Sequence, residues 1–159
     1  MLLSDRKGAI MKIGEICSRI VAFATKDMPL PEAAKLMRQH HVGSLVVVQE
    51  ESRGRVPVGI VTDRDIVVEV LAPELDYRNM VVGEIMSSRL ITARETDEML
   101  QVLHVMRQRG IRRMPVVMES GVLAGIVTLD DLLEIVAEEL EDLVDAIAGE
   151  RMKEEQARR

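Results

Sequence analysis

A threonine followed three residues later by an aspartate occurs in two similar stretches of this chain. The first stretch reads GIVTDRDI from residue 59, and the second reads GIVTLDDL from residue 125. In each, a β-branched run typical of strands leads to a threonine that can cap a helix. A strand that runs directly into a helix points unpaired backbone N–H groups outward, next to the hydroxyl and the carboxylate. The spacing therefore predicts two candidate ligand clefts, at Thr62 with Asp65 and at Thr128 with Asp131.

Both stretches belong to a tandem repeat. Gly14 and Gly83 each precede Glu-Ile and lie 69 residues apart, whereas Gly59 and Gly125 lie 66 residues apart. The second copy has therefore lost three residues, within a polar segment (50–55 in the first copy) that we predict to be a hairpin loop, where a change in length costs little. We divide the chain into an N-terminal arm (1–11), a first repeat (12–78), a second repeat (79–140), and a C-terminal helix extension and tail (141–159).

Composition limits the classes of function. The net charge is -6, and the 159 residues include one Phe, one Tyr and no Trp, so an aromatic platform for single-stranded nucleic acid is missing and a duplex is a disfavoured partner. The single cysteine, Cys17, excludes an internal disulfide and fits a reducing compartment. Asp5, Arg6 and Lys7 stand where a signal peptide needs an apolar core, and no run reaches about 18 apolar residues. We expect a cytoplasmic protein without a membrane partner.

The spacing of apolar residues predicts the order strand, helix, strand, strand, helix in each repeat. In the first repeat these elements are 20–24, 29–40, 45–48, 56–62 and 65–71. In the second repeat they are 90–92, 96–108, 114–118, 122–128 and a long helix that begins near residue 129. Pro31 fits the first turn of its helix, and Gly110 is predicted to stop the helix before it. The charged residues from 153 onward are expected to fray.

A unit of about 60 residues is marginal alone, and a three-stranded sheet with helices on one side leaves its other face bare. Two units packed face to face cover both sheets. We therefore expect an α/β fold of two β-α-β-β-α repeats packed with pseudo-two-fold symmetry. The apolar face of the last helix continues past residue 140 to Ile147. An apolar stripe that extends beyond its own repeat indicates a two-fold contact between the helices of two copies, so we expect a homodimer.

These motifs resemble the tandem cystathionine-β-synthase (CBS) domain pair, also called a Bateman module, over about residues 12–140. The resemblance is carried by the two GIVT motifs, by Gly-Glu-Ile in both copies, and by Met-Arg-Gln at 37–39 and 106–108. It implies regulatory binding of AMP, ADP or ATP, with S-adenosylmethionine as an alternative. It implies neither catalytic residues nor an obligatory cofactor nor a metal site.

The resemblance also implies roles for individual residues. Asp65 and Asp131 would each accept hydrogen bonds from both ribose hydroxyls, with Thr62 and Thr128 beside them. In the family each cleft is shared between the repeats, so an adenine at Asp131 would lie against aliphatic residues of the first repeat. The candidate ligand-binding residues are Thr128, Asp131, Asp130, Arg112, Arg113, Ile20, Val21, Val42, Gly43, Thr62, Asp65, Arg64 and Ile111.

The two clefts differ in charge. Arg112 and Arg113 match positions where the family often presents basic side chains to phosphates, whereas the first repeat has glycine and serine there. We name the clefts after their aspartates, and we expect the Asp131 cleft to bind a nucleotide more tightly. The Asp65 cleft is expected to prefer less anionic ligands or to stand empty.

Other interpretations stay open at this point. The threonine and aspartate of each motif can serve only as helix caps, and the arginines of 107–113 can be a solvated surface. His40 and His41 fit a helix end better than a metal site, and Cys17 lacks a recognisable base. The leading hypothesis is a nucleotide sensor that is read by an unknown effector protein. The alternatives are a structural or nucleic-acid-associated module with non-functional clefts and, last, an enzyme.

Overall fold

The computed structural model describes residues 11–157, with side chains up to residue 149. The predicted N-terminal arm lies outside the described residues except for Met11. The first half contains α1 (Ile13–Ile16), β1 (Phe23–Ala24), α2 (Leu30–His40), β2 (Ser44–Glu51), β3 (Gly54–Thr62) and α3 (Asp63–Ile66). α3 continues as a π-helical segment, Val67–Leu71, and two 3-10 turns follow at Tyr77–Asn79 and Val82–Glu84. The second half contains β4 (Ala93–Arg94), α4 (Met99–Arg109), β5 (Arg113–Val117), β6 (Leu123–Thr128) and α5 (Leu129–Ala157).

Each repeat forms one three-stranded sheet with the same topology. β1 is parallel to β2 and β3 is antiparallel to it, which gives the order β1-β2-β3, and β4-β5-β6 repeats this arrangement. Val47 lies opposite Gly59 in the first sheet, Val116 lies opposite Gly125 in the second, and the register shifts directly after each pair. The predicted α/β fold of two β-α-β-β-α units with pseudo-two-fold symmetry is confirmed.

The first strand of each repeat begins later than the sequence predicts. β1 starts three residues into its predicted range, and the predicted strand at 90–92 is wrong because β4 begins at Ala93. One buried alanine, Ala24 or Ala93, anchors each strand, whereas Ile20 ahead of β1 is 89% exposed. The apolar run in the sequence therefore overstates how much of this segment pairs with the sheet.

α4 begins at Met99, so the helix start predicted at Thr96 is wrong. The backbone ahead of α4 pairs with a distant part of the chain instead of forming a helical turn. Asp97 O accepts a hydrogen bond from Ile13 N at 2.9 Å, and Met99 N donates to Met11 O at 3.0 Å. Tertiary pairing overrides the local helical pattern at this point.

Three other boundaries also differ from the predictions. β2 and β3 continue into the predicted loop at 50–55 and leave a turn of two residues. The second helix of the first repeat begins at Asp63, two residues before its predicted start. α5 is helical through Ala157, so the fraying predicted from residue 153 is wrong for the part of the tail that the structure describes. The long final helix itself is confirmed.

The segment that opens each repeat packs on the other repeat. We call these the lead segments, residues 12–18 and 81–87. Antiparallel bridges hold both segments at equivalent places: Lys12 with Glu98 and Ser18 with Ile126 for the first, and Val81 with Pro29 and Ser87 with Ile60 for the second. This exchange was not predicted from the sequence, and it joins the two repeats into one unit.

The exchange also completes both hydrophobic cores. Ile13 and Cys17 of the first lead segment belong to the core of the second repeat, and Val82 of the second lead segment belongs to the core of the first. Ile13 and Val82 are both fully buried. Burying such a side chain contributes about 1.5–3 kcal/mol, so each repeat depends on the other for part of its stability.

The glycine of each GIVT motif is required where a lead segment crosses β3 or β6. A Cβ added at Gly125 would lie 2.6 Å from Ser18 O, and a Cβ at Gly59 would lie 2.8 Å from Ser87 O. Real Cβ atoms do not approach backbone oxygens so closely, so a side chain would push the crossing chain away. The motif glycine therefore serves the packing of the two repeats.

Candidate ligand-binding clefts

Each motif threonine caps the helix that follows it. Thr128 Oγ1 accepts a hydrogen bond from Asp131 N at 3.2 Å, and Asp131 Oδ2 accepts from both Thr128 N and Thr128 Oγ1 at 2.8 Å. Thr62 and Asp65 form the same capping box, with distances of 2.8 to 3.0 Å. The capping role considered from the sequence is therefore real. The cap uses only Oδ2 of each partly buried aspartate, which leaves Oδ1 outside the cap.

Asp131 lies within electrostatic reach of the first lead segment. Burial raises the pKa of the Cys17 thiol above its ordinary value, and the negative charges of Glu95 and Asp131 raise it further, against the opposing charge of Arg19. Ser18 of the same segment pairs with Ile126, two residues before Thr128. The capping box of the second repeat therefore begins close to the seam between the repeats.

The predicted adenine wall at 20–21 and 42–43 forms one surface of the first repeat. The two segments lie side by side, because β1 runs parallel to β2 and each segment leads directly into its strand. The side chain of Ile20 is 89% exposed and that of Val42 is 37% exposed. Exposed aliphatic side chains next to each other are suited to cover the face of a purine ring.

Arg113 reaches from the second repeat to this wall. Its Nη2 would lie 3.5 Å from a Cβ placed at Gly43, and Asp63 Oδ2 would lie 3.1 Å from the same point. Arg112 turns to its own repeat instead, with Nη2 3.3 Å from Asp130 Oδ1. Both members of that ion pair are largely exposed, so it contributes about 0–1 kcal/mol and can rearrange when an anion binds.

The two clefts share a backbone frame but differ in side chains. Asp63 N donates to Gly43 O at 3.1 Å, and Leu129 N donates to Arg112 O at 2.8 Å, at equivalent positions of the two repeats. The 69-residue offset places Arg89 where the first repeat has an exposed isoleucine. The backbone hydrogen bonds of the two clefts are thus equivalent, whereas the charged side chains around the clefts differ.

Two residues near the clefts were missed from the sequence. Asp63 converges with Arg113 at the first-repeat wall, and Arg89 takes the position of Ile20 in the wall of the Asp65 cleft. The repeat offset was a sufficient signal for Arg89. Two predicted residues take minor positions: Arg64 is exposed on α3, and Ile111 packs against the core of the second repeat.

Arg19 fastens the first lead segment to the second repeat. It donates to Gly14 O at 2.7 Å and pairs with Glu95, whose hydrogen bond is the largest cause of a raised pKa for the guanidinium. The equivalent residues of the other crossing are Ser88 and Lys26, which cannot form this ion pair. The arginine clamp is therefore specific to the lead segment that approaches Asp131.

Among the residues that the structure describes, no three or more His, Cys, Asp or Glu side chains are grouped so that they could hold a metal ion. His41 ends α2 in a left-handed conformation, and His104 lies 2.8 Å from Gln108 on α4. None of the described helices is both long and apolar enough to cross a membrane.

The chain thus consists of two β-α-β-β-α units that share one seam and carry a capped strand-to-helix motif each. The CBS domain family model matches residues 13–72 and 82–138, and the chain belongs to this family. No catalytic domain is indicated by this match.

Relatives and solved structures agree with the family assignment. The uncharacterized protein MK0525 of Methanopyrus kandleri is 35% identical over 125 residues, which are 79% of this chain and 62% of that protein. This chain thus spans less than two thirds of that relative's length.

Two similar solved structures are CBS proteins. The CBS domain pair of protein MJ0100, in complex with 5'-methylthioadenosine and S-adenosyl-L-methionine, has a TM-score of 0.72 and 29% identity over 82% of this chain and 99% of that chain. A hexameric CBS-CP12 protein from bloom-forming cyanobacteria has a TM-score of 0.68 and 30% identity over 78% of this chain and 70% of that chain. CBS pairs of this fold therefore include a protein that binds adenosine compounds and one that assembles as a hexamer.

Proposed function

We propose that this chain is a regulatory CBS pair that binds an adenosine-containing ligand of the AMP, ADP or ATP class between its repeats. Ligand binding would favour one arrangement of the repeats or of a homodimer, and an effector protein would respond to that change in the cytoplasm. The output is a change of shape or partner affinity, so the protein is not an enzyme. Neither nucleic acid nor a membrane is part of this account.

One observation carries the proposal: Arg113, which pairs in register with Thr128 of the capping box, reaches across the seam to the wall of the first repeat. Asp131 keeps Oδ1 outside its capping box, and Arg113 extends to Gly43 on the first-repeat wall. A carboxylate can accept hydrogen bonds from both ribose hydroxyls, and a guanidinium is suited to a phosphate. The aliphatic wall supplies the surface for a base.

The Asp131 cleft is the stronger of the two sites in this proposal. It is the cleft whose first-repeat wall receives Arg113, and Arg112 lies in an exposed ion pair that a phosphate can open. The equivalent position of Arg113 in the first repeat is Ser44, which is buried and uncharged. The Asp65 cleft therefore has no cation at this position, and its positive charges are Arg89 in its wall and Arg64 on α3.

S-adenosylmethionine and methylthioadenosine are the competing ligands, because the CBS pair of MJ0100 binds both. Their shared adenosine group needs the same ribose carboxylate, but neither carries a phosphate. Arg113→Gln separates the two ligand classes. For a nucleotide, the variant should weaken binding about tenfold or more, since a charge-assisted hydrogen bond contributes about 1.5–3 kcal/mol. For a phosphate-free adenosine compound, binding should change little.

Thermal unfolding in the presence of AMP, ADP, ATP, S-adenosylmethionine, methylthioadenosine and guanine nucleotides tests the proposal. A ligand at about 100 times its Kd stabilises the folded state by about 2.7 kcal/mol. Asp131→Asn keeps a side-chain oxygen for the cap but removes the charge, and Asp65→Asn is the matched control in the other cleft. We expect an adenosine-specific rise in Tm that Asp131→Asn removes and Asp65→Asn largely keeps.

A folded protein whose Tm responds to none of these ligands would contradict the sensor function. Salt-sensitive retention on RNA or DNA, together with indifference to nucleotides, would instead favour the nucleic-acid-associated alternative.

A further inference from the structure

The chain crosses from the second repeat to the first over residues 19–22, which we call the wall segment. Immediately before it, Ser18 exchanges two backbone hydrogen bonds of 2.9 Å with Ile126 of the second repeat. At its other end, Ala22 O accepts a hydrogen bond of 3.1 Å from Val46 N of the first repeat. The two residues proposed to cover an adenine therefore lie between one anchor on each repeat.

Arg19 adds a third anchor to the wall segment. Its Nη2 donates to Gly14 O at 2.7 Å, and its Nη1 donates to Ala124 O at 3.3 Å and pairs with Glu95. Gly14 N also donates to Glu95 O at 2.9 Å. One guanidinium thus joins the first lead segment to β6 and to the residue after β4, because its donors serve three acceptors at once. This fixes where the wall segment leaves the second repeat.

The crossing at the Asp65 cleft lacks two of these three anchors. The 69-residue offset places Pro115 at the position of Val46, and a proline has no N–H. It cannot donate to Ile91 O as Val46 donates to Ala22 O. The pairing of β4 with β5 accordingly begins one position later than that of β1 with β2. Ser88 takes the position of the arginine and cannot reach three acceptors.

We propose that Arg19 is a positioning residue for the Asp131 cleft, which holds the wall segment in its binding conformation before any ligand arrives. The proposal rests on the proposed function and adds a reason why the two clefts differ. A wall that is already fixed loses little conformational entropy on binding, whereas a wall with one anchor has to be ordered by the ligand. The anchoring of the walls therefore favours the Asp131 cleft independently of the phosphate-binding charges.

Isothermal titration calorimetry with AMP and with adenosine tests this role. All variants carry Asp65→Asn in the full chain, so that only the Asp131 cleft contributes. Arg19→Met keeps the apolar stem and removes every donor, and the arginine side chain is 52% exposed, so the variant should fold. We expect the Kd of both ligands to rise about tenfold, which corresponds to ordering about one residue of backbone on binding.

Three further variants separate positioning from a direct contact with phosphate. Glu95→Ala leaves the charge of Arg19 in place but removes its partner, so it should also raise the Kd of both ligands, though less than Arg19→Met. Arg113→Gln should raise the Kd of AMP and leave that of adenosine nearly unchanged. Lys26→Ala is the matched control, because Lys26 is the equivalent of Glu95 at the other crossing, and it should change neither Kd.

Amide hydrogen exchange of the ligand-free protein provides a second readout. Residues 20–21 should exchange faster in Arg19→Met than in the reference chain, because the wall segment has lost an anchor. Exchange at these two residues that stays the same would overturn the positioning role.

Each other outcome of the titrations is also decisive. A Kd that rises in Arg19→Met for AMP alone, or that falls in Glu95→Ala, would mean that Arg19 meets the phosphate directly and would overturn positioning. Unchanged Kd values with a lower Tm would leave Arg19 a purely structural role, while the proposed function stands. A reference chain that binds neither AMP nor adenosine would overturn both proposals.

Discussion

Asp131 combines a structural role with a proposed binding role. Its Oδ2 closes a capping box with Thr128, and the same geometry holds Oδ1 at a helix N-terminus beside the seam. The cap fixes the carboxylate before any ligand arrives, so little conformational entropy remains to be lost on binding. Capping and ligand binding are therefore compatible functions of one side chain.

Gly125 is predicted to be intolerant of even one added methyl group. Gly125→Ala places a Cβ 2.6 Å from Ser18 O, so we expect a loss of about 1–3 kcal/mol in the free energy of unfolding. Gly149→Ala is the control, because it lies in α5 with no atom within 4 Å of the new Cβ. That substitution should be neutral or stabilise the protein by up to about 1 kcal/mol. Urea unfolding of both variants measures the difference, and equal stabilities would contradict the crossing geometry.

Cys17 is predicted to make the free energy of unfolding fall as the pH rises in the alkaline range. Burial raises the pKa of the folded thiol above its ordinary value of 9.0, so the unfolded chain loses this proton first. The contribution is fully present below the unfolded pKa and is lost as the pH rises through the folded pKa. Urea unfolding from about pH 8 to about pH 10 should show this loss. Cys17→Ala should be less stable overall but show a smaller decline, and an identical decline would contradict the assignment.

Among the individual residues, the threonine and aspartate pairs were predictable from the sequence, because the repeat presents them twice at matching positions. Through a family resemblance it also predicts that Arg113 is a cation of the cleft, and this stays a prediction. It could not show that Arg112 pairs with Asp130, since both are exposed side chains whose direction depends on the folded surface. The neighbourhood of Asp131 and Cys17 likewise depends on the exchange of lead segments, which no local pattern encodes.

Among the elements, the ends of α2 and α4 differ at equivalent positions. α2 ends at His41 with φ 53°, and α4 ends at Gly110 with φ 64°. A non-glycine residue is strained in this left-handed conformation. We therefore expect His41→Gly to stabilise the protein by about 0.5–1 kcal/mol and Gly110→Ala to destabilise it by about 1 kcal/mol. Chemical denaturation measures both, and a destabilising His41→Gly would indicate that the histidine side chain has a role that outweighs the strain.

The elements were predictable where local chemistry decides them. Pro31 in the first turn of α2, the glycine stop of α4 and the long apolar face of α5 are signals carried by the sequence itself. The starts of β4 and α4 were not predictable from the sequence, because Asp97 O accepts a hydrogen bond from Ile13 N on the other side of the molecule. Such a pairing between residues far apart in sequence replaces the local preference, and only the folded structure shows it.

In the whole molecule, each repeat is completed by a segment of the other. Ile13 is buried in the second core and Val82 in the first, so each repeat alone would lack part of its core. We expect one cooperative unfolding transition for the full chain, with a calorimetric enthalpy equal to the van't Hoff enthalpy. Differential scanning calorimetry measures this ratio. Two separate transitions would contradict the dependence of the cores on the exchanged segments.

The pairing of the repeats was predictable from the bare face of each sheet, but the exchange of lead segments that joins them was not. The exchange explains why both motif glycines recur, and it pairs Ser18 of the first repeat with Ile126, two residues before the capping threonine of the second. The shared core and the proposed shared cleft thus have the same structural origin. A ligand that bridges the two repeats therefore acts on the contacts that hold the molecule together.

The proposed function requires that an adenosine nucleotide binds at the seam through Asp131. Equilibrium dialysis of radiolabelled AMP against the wild type, Asp131→Asn and Asp65→Asn measures this binding. We expect saturable binding of one AMP per chain at the stronger site, lost in Asp131→Asn and retained in Asp65→Asn. Absence of binding to the folded wild type, or equal binding by the wild type and Asp131→Asn, would contradict it.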